Sequence, residues 1–517
     1  MNKVFKPLGI AAAVAAASAG YVNVANAAAI ANNALGDLAL VPYYTVNGEW
    51  ITGIHIVNTS EKTQVVKFRF RRASDSLDAL DFNVVMSPND VYAGFLSDDE
   101  NGNISWSAND TTCTVPAATG NKLTMPPIYR DGADTGYVEI IAMAETIDED
   151  QAIAIAAEHG STSLTPENCE AVRSNFFADG AVDGVRGVVD YETTRQSAYT
   201  SSAGAAVGAA NNAFTDSDDA LKVSYFIRDN ATGIEFGDNA VHVQGFLSQA
   251  SMSNQQFGWL SGDMNGFDFP DLNGGVPTAT VPDRGAFASL RDSAVLGVAQ
   301  LNNEWTANTA NGAAVDWVVT LPGQYTMMDT PEFVIDLNST AAADDCTRTD
   351  CDFRDLPVTA TIVPYNREEL SVVSETGDLT VSPALPGEAQ VTQLKKETNV
   401  ITFGGNSVLG VSDVDITADL GQPYGWLRLG VESATTDPRI CAWDGTYVPT
   451  DALGPQLADS ELETLMSCDT ADGATSVSGT NVPMIGFAAW ARSVAANPDA
   501  SYGRIVAHSF SSSTAGF

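Results

Sequence analysis

Beyond residue 37 the chain alternates with a period of two. In "VKFRFRR", Val66, Phe68 and Phe70 interleave with Lys67, Arg69 and Arg71. On a pleated strand that sets an apolar face against a cationic one. "LALVPYYTV", "WITGIHIVNTS", "QVVKFRFRRA", "LDFNVVMS", "DVYAGFL" and "GYVEIIAMA" follow one another, separated by turn formers such as "NG", "SEK" and "PND". Runs of about five to eight β-branched and aromatic residues, punctuated in this way, predict antiparallel strands. The same texture returns in "LKVSYFIRD", "AVHVQGFLS" and "AVDWVVTLPG", and again in "LPVTATIVPY", "GWLRLGV", "PMIGFAAWARSV" and "YGRIVAHSF". The pattern predicts a mainly β protein of several antiparallel, Ig-like β-sandwiches.

Three stretches break the alternation. Thr146 and Glu149 have capping-box spacing ahead of "QAIAIAAEH", and Gly160 suits a helix end. A second short helix is expected from Thr165, with Pro166 in its first position. A third is expected near Ser460–Met466. Residues 197–214 are small and polar and read as a long loop. The first 27 residues combine a basic start, an Ala-rich apolar run and the small-residue site Ala25-Asn26-Ala27, which predicts a signal peptide cleaved before Ala28. The expected divisions are 1–27, a leader; 28–145, an N-terminal β-sandwich; 146–215, a helical insertion and Ala/Ser/Gly-rich loop; 216–335, a second β domain; and 336–517, a C-terminal β domain. After the leader no apolar run reaches the ~18 residues of a spanning helix.

Charge narrows the function. The chain has 25 Lys+Arg against 65 Asp+Glu, a net charge of −40, and losing Lys3 and Lys6 with the leader makes it −42. Nucleic acid is excluded as a partner, because both bodies repel. An anionic membrane surface repels it too unless cations bridge the two. Hydrophobic residues make up 44 %, enough for packed cores. Six cysteines in an exported chain predict disulfides, and neighbours pair most simply: Cys113–Cys169, Cys346–Cys351 and Cys441–Cys468.

The candidate chemistry is sparse. Only four histidines occur; His55, His242 and His508 fall in strand patterns and His159 ends a predicted helix. No nucleophile elbow or zinc motif is present, and no catalytic residue is assigned. Two acidic, glycine-bracketed loops offer hard oxygens to calcium. One is "SGDMNGFDFPDLNGG" (261–275), with Asp263, Asn265, Asp268 and Asp271; the other is "SDDENGN" (97–103), with Asp98, Asp99, Glu100 and Asn103. Each also reads as a tight turn, since Asn-Gly favours turns. The cationic face of Lys67, Arg69, Arg71 and Arg72 has two readings as well. It docks a neighbouring copy or lipopolysaccharide phosphates, or "SDSLDALD" (74–81) folds back and neutralises it.

The segments "LALVPYYTVNGEWITGIHIVNTSEKTQVVKFRFRR", "LDFNVVMSPNDVYAGFL", "GYVEIIAMAE" and "DWVVTLPG" resemble a family of secreted surface proteins of marine gammaproteobacteria, described as S-layer proteins that form a crystalline coat on the outer membrane. The likeness is clearest over residues 38–145 and contains no catalytic motif. It implies a non-enzymatic structural protein that self-assembles at the cell surface, with itself as principal partner; structural Ca2+ is the expectation the two acidic loops add. No wall-binding module is recognisable, so attachment is expected to be non-covalent and cation-bridged. A surface adhesin or glycan-binding module is the alternative; an extracellular carboxylate-dependent hydrolase ranks below both.

Overall fold

The computed structural model describes residues 28–74, 76, 78–99, 101–125, 127–130, 132–174, 214–247, 272, 295–306, 312–323, 358–365, 390–394, 396–403, 407–410, 416–418, 423–431, 440–443, 466–469, 482–494 and 500–511. The expectations for the leader, the 197–214 loop and a helix starting at Ser460 lie outside them.

The chain is mostly β, in several antiparallel sheets. The N-terminal run forms β1 (Ala29–Ile30), β2 (Leu38–Thr45), β3 (Trp50–Asn58), β4 (Gln64–Arg72), β5 (Asp78–Met86), β6 (Val91–Ser97), β7 (Ser105–Ser107), β8 (Cys113–Val115), β9 (Lys122–Thr124) and β10 (Thr135–Thr146), with a turn of helix α1 (Pro127–Arg130) before β10. After the insertion come β11 (Phe214–Thr215), β12 (Leu221–Asp229), β13 (Glu235–Asn239) and β14 (Val241–Gln244). These fourteen strands make two facing sheets. One runs β1-β14-β2-β10-β4-β5-β8, with β11 on the end of β10; the other runs β13-β12-β3-β6-β7-β9. Val66, Phe68 and Phe70 of β4 meet Ile54, Ile56, Tyr92, Leu96 and Trp106 from the opposite sheet in one core. Phe68 stacks on Phe82 with ring centroids 5.0 Å apart, and Trp106 closes on both.

The remaining described strands are β15 (Gly297–Val298), β16 (Gln300–Thr306), β17 (Ala313–Thr320), β18 (Val358–Tyr365), β19 (Gln390–Leu394), β20 (Thr398–Phe403), β21 (Ile416–Ala418), β22 (Tyr424–Val431), β23 (Ile440–Trp443), β24 (Met466–Asp469), β25 (Val482–Pro483), β26 (Ile485–Arg492), β27 (Tyr502–Ala507) and β28 (Ser509–Ser511); β15 with β25 and β23 with β24 are separate two-stranded sheets, and the other ten build the second sandwich. Sheet β19-β18-β22-β16-β28 faces sheet β21-β20-β17-β26-β27. Trp305, Trp317, Phe403, Leu427 and Leu429 fill the space between them.

Strand pairing redraws the expected divisions. The described strands of residues 216–335 are shared between the two sandwiches. β12 pairs with β3 and β14 with β2, completing the first sandwich, whereas β16 and β17 belong to the second. The reason is edge satisfaction: β2 and β3 each leave a row of backbone donors and acceptors that a later strand covers. The two sandwiches also touch. Val318, Phe487 and Ala489 join the core cluster of the first sandwich, and Thr320 Oγ1 donates to Pro42 O at 2.6 Å.

The insertion holds two short helices, α2 (Ala152–Ala157) and α3 (Cys169–Ser174), packed on the outer face of the first sheet through Ile153, Ala156 and Val172 against Val65, Val85 and Met143. The Thr146/Glu149 pair is not a helix cap. β10 runs on through Thr146, and the Glu149 carboxylate instead accepts Thr63 N (2.9 Å) and Thr63 Oγ1 (2.7 Å) across the sheet. The second helix starts four residues after Thr165, with Asn168 Oδ1 accepting the Ala171 N–H at 3.0 Å.

Candidate functional site

The cationic stripe is the first candidate, and the structure removes it from the surface. Lys67, Arg69, Arg71 and Arg72 are all fully buried. Register explains part of this. Asp81 on β5 and Glu139 on β10 both stand opposite Arg69, one on each side. Lys67 Nζ lies 3.2 Å and Arg69 Nη2 3.3 Å from Asp81 Oδ2; Arg69 Nη1 lies 4.0 Å from Glu139, whose Oε1 also takes the Arg71 Nε–H. Arg71 further donates to Ser76 O at 2.7 Å. Ion pairing offsets a desolvation penalty of several kcal/mol per ion only when partners are this close. The expected interface to copies or to lipopolysaccharide is therefore corrected: Lys67, Arg69 and Arg71 form an internal ion network, and Arg72 is buried with them. The fold-back of "SDSLDALD" supplies Asp81.

The calcium loops fare differently. Asp263, Asn265, Asp268 and Asp271, like Glu100, lie outside the described residues. In the other loop Asp99 Oδ1 accepts the N–H groups of Asn101 (2.8 Å) and Asn103 (2.9 Å), and Gly102 turns with φ +72°. The Asn103 N–H, then its side-chain amide, hold the Asp99 carboxyl below the usual carboxylate range. Asn103 Oδ1 is taken by Arg130 at 2.7 Å, and Asp98 is exposed. Asp99 and Asn103 thus hold a hydrogen-bonded turn, with Asp98 exposed beside it. Among the described residues no group of three His, Cys, Asp or Glu is placed to hold a metal.

The histidines take structural positions. His508 is buried against Trp317, with Nε2 on Val318 O (3.0 Å) and Nδ1 facing Asn303 Nδ2 (3.0 Å). Burial pushes its pKa down to about 4. His242 is buried and accepts the Val223 N–H at 2.9 Å, and burial lowers its pKa as well. His55 is exposed and meets Phe226 edge-on, and His159 lies 3.3 Å from Thr111 Oγ1. Cys113 and Cys169 are bonded, with Cα atoms 5.2 Å apart, tying α3 to β8. Cys441 stands directly opposite Cys468 on β23 and β24; Cys346 and Cys351 lie outside the described residues.

The site that sequence reasoning missed adjoins the disulfide. A cavity of about 140 Å3 opens between the β7–β9 edge and α3, lined by Trp106, Asp110, Thr111, Thr112, Asn121 and Arg173 among others. Asp110 Oδ1 accepts Thr112 N (2.9 Å) and Thr112 Oγ1 (2.8 Å), and the same hydroxyl lies 3.2 Å from Asp90 Oδ2. One hydroxyl carries one proton, so the two carboxylates compete for it. Burial raises the Asp90 pKa, opposed by the nearby His159 and reinforced by Asp110. Arg173 Nε donates to Thr114 O at 2.8 Å. Most of the lining comes from residues 106–123, but its cation, Arg173, arrives from α3 of the insertion, so nothing in the local sequence marks the site. No family model matches this chain, and no curated protein or solved structure matches it.

Proposed function

We propose that the chain is a secreted structural protein that assembles with copies of itself into an S-layer-type coat on the outer surface of a Gram-negative cell. The observation that carries this reading is the placement of charge. Among the described residues the buried charges nearly cancel, Lys67, Arg69, Arg71 and Arg72 against Asp37, Asp81, Glu139, Glu145, Asp316 and Glu397, so almost all of the net charge of −40 lies outside the cores. Such a surface stays hydrated in salt and repels its own copies. Lattice contacts then need divalent cations between facing carboxylates, which makes Ca2+ the natural cement. The same bridging would hold the coat to lipopolysaccharide phosphates.

Negative-stain electron microscopy of cell envelopes tests the proposal. A regular lattice built mainly of this protein, lost on adding EGTA and restored by Ca2+, is the expected result. A smooth envelope with dispersed monomer in both conditions removes it. The cavity beside Cys113–Cys169 favours a second reading, a surface adhesin or glycan-binding module, whose signature would be a soluble monomer with a defined ligand.

A further inference from the structure

The lining of the cavity beside the disulfide carries both signs of charge. The cation is Arg173. Its Nε is occupied by Thr114 O, and its two terminal amino groups have no hydrogen-bond partner among the described residues. The lining also holds Asp110, whose Oδ2 accepts no hydrogen bond among the described residues, the Asn121 side-chain amide, and the Thr111 hydroxyl, which lies 3.3 Å from His159 Nε2. We infer that this cavity binds a sugar carboxylate, one hexuronate unit whose carboxylate docks on Arg173 and whose hydroxyls meet Asp110, Asn121 and Thr111.

Size sets the first limit. At about 140 Å3 the cavity falls below the ~300–1,000 Å3 of drug-sized sites, so it admits one small polar molecule or one ring of a chain. A planar guanidinium with free terminal donors matches a carboxylate bidentately. Asp110 in the same lining repels a second anionic group, which disfavours sulfate or phosphate. A carboxylate side chain accepts readily from hydroxyls, and Asn121 both donates and accepts. A zwitterionic amino acid would satisfy Arg173 and Asp110 but leave the Asn121 side-chain amide without a partner. A hexuronate uses the charged and the neutral groups together.

The fold holds the key donor in place. Cys169 and Arg173 are four residues apart on α3, so they share one face of the helix. The disulfide to Cys113 fixes that face against β8, where Thr114 O receives Arg173. Asn121 sits at φ +63°, a conformation Asn tolerates better than most residues. Sugar binding is therefore expected to depend on the intact disulfide.

Calorimetric titration of the full oxidised chain tests this with D-glucuronate, D-glucose, glycine and sulfate as separate probes, and with a polyuronate chain to distinguish free sugar from polymer. Saturable one-to-one binding of glucuronate, at least tenfold tighter than glucose, is expected. Arg173→Gln and Asp110→Asn should each weaken it at least tenfold, with unchanged circular dichroism. Arg173→Lys, which keeps the charge and loses the fork, should also weaken it. Cys169→Ser should weaken it with Arg173 still present. Equal affinity for glucose, preferential binding of glycine or sulfate, or no binding of any uronate would each overturn the inference. Arg173→Gln is expected to leave the envelope lattice intact, so failure here and failure of the coat reading are separate outcomes.

Discussion

Asp316 sits on β17 where a carboxylate is costly. It is fully buried, and its Oδ2 gathers Ser407 Oγ (2.8 Å), Val408 N (2.7 Å) and Leu409 N (3.0 Å). Burial pushes its pKa up to about 6 from 3.8, and the three hydrogen bonds moderate the rise. His508 moves the other way, to about 4 from 6.5. Their contributions to stability have opposite signs with pH. Asp316 stays protonated in the folded chain while the unfolded chain ionises, so its contribution is whole below about pH 4 and is lost as pH rises to about 6. His508 stays neutral in the folded chain while the unfolded chain is protonated, so its contribution is whole above about 6.5 and is lost as pH falls to about 4. Each amounts to about 3 kcal/mol at one pKa unit per ~1.4 kcal/mol. Denaturant titrations of Asp316→Asn and His508→Gln against wild type should give difference curves of opposite slope between pH 4 and 6.5. Parallel curves would contradict the assignment. Neither role was legible beforehand. In "AVDWVVT" an alternating polar residue reads as outward-facing, and only the second sandwich lying on the first buries it.

Elements were more legible than the contacts between them. The period-two pattern located β2, β3, β4, β5, β6 and β10 closely, because each has one face in the core. It cannot say what covers the other face. On β4 that face is the ion network, and its centre is Arg69 between Asp81 and Glu139. Arg69→Met should leave two buried carboxylates short of a cation and cost about 3–5 kcal/mol. Adding Asp81→Asn should recover part of that loss. A double variant no more stable than the single would show that Asp81 is satisfied without Arg69. The disulfide was also legible, since Cys113 and Cys169 are neighbours in the cysteine order. It closes a loop with a sequence separation of 56, worth about 4 kcal/mol by chain entropy. Cys113→Ser should lower the midpoint of urea unfolding accordingly and open the α2–α3 insertion to protease before the sheets.

At the scale of the whole molecule, the unread feature is how the chain returns on itself. β12 and β14 complete sheets begun before the insertion, and sheet β21-β20-β17-β26-β27 is packed on both faces. Val315, Trp317 and Val319 point into the second core, while Val318 points into the first. A strand buried on both sides loses its alternation, which is why "DWVVT" and "IGFAAWA" look like ordinary interior strands and give no hint of a second partner. Phe487 adds a ring to this contact, with its centroid 6.3 Å from that of Tyr225. Thr320 to Pro42 and Thr398 N to Ala73 O (3.1 Å) add hydrogen bonds across it. Removing a buried Phe costs about 3–5 kcal/mol, and here the loss falls on the joint rather than on either core. The wild-type chain should therefore melt in one calorimetric transition. Phe487→Ala should split it, the two sandwiches unfolding separately. If the variant still melts as one transition at the wild-type midpoint, the coupling lies elsewhere and the two sandwiches are fused by contacts other than this ring.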